Sequence, residues 1–246
     1  MTTLLDLIAG ARVFDLAQPW FAGMPHHPTH PPFLFGPVKQ HGDFVGPAGH
    51  SSAADAIALG THVGTHMDAF THFSLDGRMR NEPIDTVAPV LRRGVLLDVA
   101  GLRGVTALGR DDEITPADLD AAAAAQGVEI RPGDVVLLRT GWAKYFTDAK
   151  KFISEVHGPG PAIGGARWLS GRGVYAAGAD TVAFEKVPDA AMPVHVHLLV
   201  ESGIHIIECL NLEELAASAV YEFVFVALPL KIRGATASPI RPVALA

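Results

Sequence analysis

From about residue 90 onward, apolar runs bounded by glycine, proline and small polar residues recur along the chain and fix its secondary structure. Gly94-Val95-Leu96-Leu97-Asp98-Val99 lacks the alternation of a half-exposed strand and reads as one covered on both faces. Asp134 to Arg139 and the shorter Gly173 to Ala177 read in the same way. Thr115, Pro116 and Asp118 supply an N-cap, a first-position proline and a first-turn acid, so a helix is expected from there through the alanines at 121 to 125 to Gly127. Helices over Trp142 to about Phe152, Met192 to Gly203 and Glu213 to Ala217, with strands over Ile204 to Leu210 and Tyr221 to Ile232, continue the alternation. Strand and helix in turn predict an α/β fold, a single domain over residues 1–246 with a sheet flanked by helices. The first fifty residues, rich in proline, glycine and histidine and without a sustained period, are expected to form loops wrapping this body.

Composition narrows the classes of function. The 246 residues are 49% hydrophobic and 18% charged, enough for a sizeable core. One cysteine, Cys209, excludes an internal disulfide and a cysteine-based zinc cluster. A formal charge of -7 without a basic run argues against nucleic acid as a partner. No run of about 18 apolar residues and no charged-then-apolar leader is seen, so a cytoplasmic protein that does not enter the membrane is expected. The high apolar fraction points to surface covered in a homo-oligomer.

Chemistry is concentrated in one stretch: His62-Val-Gly-Thr-His66-Met-Asp68-Ala-Phe70-Thr-His72-Phe73. Two imidazoles and a carboxylate are a common set of ligands for zinc, manganese or iron(II). A lone histidine is more often structural than ligating. Four ionisable groups buried together without a cation would leave several polar atoms unsatisfied. Gly64 and Thr65 disfavour a helix, so an extended segment is expected, with His62, His66 and Asp68 sharing a face at even spacing. His72 lies beyond them and is the candidate acid and base.

The stretch resembles the signature of the cyclase-like metal-dependent hydrolases, relatives of kynurenine formamidase and isatin hydrolase, His-x-Gly-Thr-His-x-Asp-x-Pro-x-His-Phe. Phe70 stands where the signature has proline. The likeness continues through Asp15-Leu16, Gly23-Met24-Pro25, Pro132-Gly133-Asp134 to Trp142, and Ile206-Ile207-Glu208-Cys209-Leu210-Asn211. It implies a swivelling β/β/α fold, one or two zinc or manganese ions, and a further His and Glu as ligands. His195 and Glu208 suit that role, because an antiparallel helix and strand bring residues thirteen apart face to face across a turn. The resemblance, matched at His195-x-x-Leu198-Leu199, implies His195 rather than His197, which a helix turns roughly 200° away. His205 and Cys209 alternate away from Glu208 and are read as structural and as buried packing. Asp180 and Glu185 could reach a pocket at the carboxyl end of the preceding strand but are read as solvated loop acids, and His26, His27, His30 and His50 could rim that pocket but are read as surface loop residues.

Together these features predict metal-assisted hydrolysis of a small cyclic amide, imide, lactone or arylformamide, with His72 moving the proton. Trp20 and Phe70 are the candidate substrate contacts, with Phe21, Phe33 and Phe44 as further loop aromatics. Two rivals remain. An iron(II) oxygenase could use His66, Asp68 and His195 as a facial triad, but would leave His62 and His72 without work. A non-catalytic metal- or metabolite-binding protein would have no use for His72.

Overall fold

A computed structural model describes residues 4–246. Its centre is a nine-stranded mixed sheet in the order Val13–Asp15, Val243–Leu245, Glu222–Ala227, Val90–Asp98, Val135–Arg139, Ala176–Ala179, His205–Glu208, His66–Asp68, Ala237–Pro239. The four strands from Val90–Asp98 to His205–Glu208 run parallel, and antiparallel strands extend the sheet on either side. The chain is thus α/β, as its alternating pattern predicts. Within the parallel strands, alternate residues feed two separate cores. Val95, Leu97, Val136 and Leu138 face the helices Pro116–Gln126 and Ile163–Gly171. Leu96, Val135 and Leu137 pack on the other face with Met67, Ile207, Phe225 and Leu215. This two-sided burial is why the strands carry unbroken apolar runs.

Pro116–Gln126 starts and stops where its end residues dictate. Thr115 Oγ1 accepts from the Asp118 amide at 3.2 Å while the Asp118 carboxylate accepts from the Thr115 amide at 2.8 Å. At the far end, Gly127 takes the left-handed conformation at φ 67°.

Several elements differ from expectation. The helix over Trp142 to Phe152 is two pieces, a 3-10 turn Trp142–Tyr145 and a helix Ala149–Ile153, because the Asp148 side chain caps a new start by accepting from the Lys151 amide. The strand expected to reach Ile232 ends at Ala227, just before Leu228-Pro229, where proline cannot continue the ladder. The short strand is Ala176–Ala179 rather than Gly173 to Ala177, since Gly173 turns at φ 66°. Met192 to Gly203 begins as α-helix Pro193–His195 and continues as a π-helical turn, Val196–Ser202. The first fifty residues are not all loop. They hold helix Leu4–Gly10, strand Val13–Asp15 and strand Leu34–Lys39, which pairs with Ala54–Ala58 as a separate two-stranded ribbon.

Candidate metal centre and active site

The cluster forms at the carboxyl end of the parallel strands, where open α/β sheets place their ligands. His66 lies directly across from Glu208 in the antiparallel pair His66–Asp68 and His205–Glu208. Asp68 is two residues on and so faces the same way as His66. His62 does not continue that strand. Gly64, at φ 64°, turns the chain, and a Cβ there would lie 2.6 Å from the Trp20 indole nitrogen. Only glycine meets both demands. Thr65 ties the turn to the sheet, its Oγ1 donating to the Cys209 carbonyl at 2.6 Å and accepting from the Gln18 amide at 2.9 Å. The fifth contributor, His195, comes from the helix start at Pro193.

These side chains converge. Asp68 Oδ1 lies 2.8 Å from His62 Nδ1 and 3.5 Å from His66 Nε2. His195 Nε2 lies 3.3 Å from Glu208 Oε1 and 4.0 Å from Asp68 Oδ2. His66 Nδ1 donates to the Gly64 carbonyl at 2.8 Å, which leaves its Nε2 with a free lone pair. Two groups of three have ligand atoms within 4.8 Å of one another: His62, Asp68 and His72; and Asp68, His195 and Glu208. His66 Nε2, both Asp68 oxygens and Glu208 Oε1 are buried without a well-formed hydrogen bond. Orphaned lone pairs aimed at one another are costly in an apolar interior, and a divalent cation is what satisfies them together. The residues therefore fit a metal. Asp68 belongs to both groups and could bridge two ions.

The electrostatics agree. Burial works against ionisation of Asp68, but His72, His62 and His66 outweigh it and hold the carboxyl well below the usual range. Burial pushes Glu208 up. His195 is pushed up to about 10, burial being outweighed by its hydrogen bond to Glu185 and by the nearby carboxylates of Glu208 and Asp68. His72, desolvated and beside other imidazoles, falls to about 3, so without metal it is a neutral proton acceptor at physiological pH. Its ring lies over His62 with centroids 3.9 Å apart.

The cluster floors a cavity of about 260 Å³ walled by Phe73, Val156, Val182, Val187 and Met192, with His27 and His30 at its mouth. No Lys or Arg is among its described lining residues. A larger cavity of about 950 Å³ lies elsewhere, between Asp15, Trp20, Leu228, Leu230 and Arg241, and contains none of the cluster. His62, His72, His195 and Glu208 of the two candidate ligand groups line the smaller one, which is the candidate active site.

The two expected substrate contacts fall outside it. Trp20 lines the larger cavity, its ring against Phe33 and its indole nitrogen over Gly64. Phe70 is a core residue, stacked on His205 at 4.1 Å and 12°. It sits in a 3-10 turn, Phe70–His72, that directs Phe70 inward and His72 toward the cavity. His197 turns away, its Nε2 bonding Ser170 Oγ at 2.8 Å. His205 is buried with Nδ1 donating to the Asp68 carbonyl at 2.9 Å, and Cys209 is buried. The readings of Asp180, Glu185, His27 and His30 as solvated or surface loop residues are overturned. Asp180 and Glu185 are 0% and 1% exposed rather than solvated, Asp180 accepting from the Thr140 amide and hydroxyl. His30 is a cavity residue, 4.9 Å from His62 between ring centroids. Glu185 could have been found from its apolar neighbours Val182, Ala183 and Phe184, since an acid among such residues must be paired; His30 carried no such signal.

Residues 14–186 match a family model described as "Putative cyclase". An isatin hydrolase of Roseibium aggregatum is 29% identical over 197 residues, 77% of this chain and 73% of that protein. A kynurenine formamidase of Sphingopyxis alaskensis is 27% identical over 241 residues, 95% and 97% of the two chains. A crystal structure described as a novel cyclase superposes with a TM-score of 0.88 at 30% identity, covering 98% of this chain and 88% of that one.

Proposed function

The chain belongs to the cyclase family, its curated relatives are hydrolases of C–N bonds, and on that premise we propose metal-dependent hydrolysis of a small cyclic amide, imide, lactone or arylformamide. The observation that carries the metal site is the convergence of orphaned atoms on Asp68. His62, His66, Asp68, His195 and Glu208 would hold one or two ions, zinc or manganese by the nature of the donors. Bound there, a divalent cation would make water acidic and polarise the substrate carbonyl.

The chain's own residues do the rest. His72 takes a proton from the attacking water and returns it to the leaving nitrogen or oxygen, the exchange that turns an amide and water into an acid and an amine. Phe73, Val182, Val187 and Met192 provide an apolar slot for a planar ring and exclude bulk water. The slot's volume of about 260 Å³ suits a compact substrate. The open-sheet α/β architecture speaks against the oxygenase alternative, whose triad usually sits on a double-stranded β-helix.

The test is metal analysis of the purified protein, then a pH-stat screen of lactones, imides and arylformamides beside an oxygen-uptake assay. Acid release without oxygen uptake supports the proposal, and oxygen uptake contradicts it.

Self-association belongs to the same proposal. Phe35, Val38, Phe44 and Ile57, on the Leu34–Lys39 ribbon and its connecting loop, are 55%, 68%, 78% and 56% exposed, more apolar surface than an isolated arm leaves to water. Sedimentation velocity showing only monomer would contradict it. No described helix is long and apolar enough to cross a membrane. A cytoplasmic location is proposed with it, and cell fractionation tests that.

A further inference from the structure

We propose that Glu185 is the positioning residue of the metal centre, its carboxylate holding His195 so that Nε2 faces Asp68 and Glu208. The proposal rests on the reading above that a cation binds there. Glu185 is 1% exposed and lies in the segment that follows strand Ala176–Ala179. Its Oε1 accepts from His195 Nδ1 at 2.5 Å and from the His195 amide at 2.9 Å, and its Oε2 accepts from the Val194 amide at 3.3 Å. One carboxylate thus grips both the ring and the backbone of the same residue.

The consequence for the ring is specific. With Nδ1 bonded to a carboxylate, the ligating lone pair of His195 is on Nε2, the atom 3.3 Å from Glu208 Oε1. Phe73 leans on the same ring at 4.7 Å between centroids and limits its rotation. His66 is oriented differently, by the neutral Gly64 carbonyl. Carboxylate support makes His195 the more electron-rich ligand and adds negative charge behind it, both of which strengthen binding of a divalent cation. Glu185 has no Lys or Arg partner among the contacts of the described residues.

The backbone is strained on both sides of this contact. Phe184, next to Glu185, has φ 51°, and Met192, just before the helix that carries His195, has φ 43°. Bulky residues rarely adopt the left-handed region, and such strain persists where surrounding contacts impose it.

Zinc binding by equilibrium dialysis, without substrate, tests the proposal in four proteins: wild type, Glu185→Gln, His195→Ala and the double variant. Glutamine keeps the size and an acceptor oxygen but removes the charge. Zinc affinity should fall about 10–100-fold in Glu185→Gln, while the same change should cost nothing further once His195 is alanine. Thermal unfolding of the metal-free proteins shows whether Glu185→Gln is folded, and Glu185→Asp offers a second variant that keeps the charge on a shorter stem. Unchanged affinity in Glu185→Gln, or an equal loss with and without His195, would overturn the assignment to His195 while leaving the metal site standing. Wild type that binds no zinc or manganese would instead sink the metal reading itself, and this inference with it.

Discussion

His66 and Glu208 are register partners on adjacent antiparallel strands, with Nε2 and Oε2 3.4 Å apart. The sheet itself therefore builds half of the site, and the two residues are held at a separation set by backbone hydrogen bonds rather than by mobile loops. Glu208→Gln should hold fewer ions per chain than wild type while keeping metal at His62, His66 and Asp68, as read by elemental analysis. Equal metal content with activity lost would move Glu208 to a substrate contact.

His72 is proposed to move protons rather than to bind the metal. His72→Ala should keep its metal and lose about 10²- to 10⁴-fold in turnover, the usual size of a general acid and base contribution. Because His72 also lies within ligand distance of His62 and Asp68, metal analysis of the same variant decides between roles. Metal loss would make it a ligand.

Phe70 packs in the core rather than against the cavity. Phe70→Ala should lower stability by about 3–5 kcal/mol, the cost of emptying a buried aromatic site, and leave KM of the folded fraction unchanged. A raised KM with stability unaffected would restore it as a substrate contact.

The cap of helix Pro116–Gln126 gives a prediction free of the metal site. Thr115→Ala should cost about 0.5–2 kcal/mol. Burial opposes ionisation of Asp118, but hydrogen bonds from Arg103 and Thr115 outweigh it and hold the carboxyl below its ordinary value. A lowered carboxylate stabilises the fold above about pH 4, and that contribution is lost as pH falls through the folded value. Asp118→Asn should therefore be less stable than wild type near neutrality and converge toward it in acid. A difference that grows in acid would contradict this.

The readable parts of the sequence were those where one local signal decides the outcome. Thr115, Pro116 and Gly127 fix a helix from its ends, and the apolar runs at 94–99 and 134–139 fix strands buried on both faces. The His62 to His72 cluster was legible because burying so many titratable groups requires a shared purpose. What escaped depends on contacts distant in sequence. Strands Ala237–Pro239 and Val243–Leu245 are short and take their conformation from the sheet edges that receive them. His30 reaches the cavity only because its loop folds back over His62. Phe70 looked like a pocket aromatic from its place in the signature, and a single 3-10 turn sends it into the core instead. Glu185 stood outside every motif, marked only by the apolar residues before it, and its contact with His195 is set by the fold.

The central claim is that a cation gathered on Asp68 makes this chain a hydrolase. Metal content and acid release, measured together on wild type and Asp68→Asn, test it most directly. Wild type should contain zinc or manganese, release one acid group per turnover from a small carbonyl substrate, stop on chelation and resume when metal is restored. Asp68→Asn should contain little metal and stay inactive after reconstitution. Full metal occupancy in Asp68→Asn, or hydrolysis by wild type that survives chelation, would contradict the account.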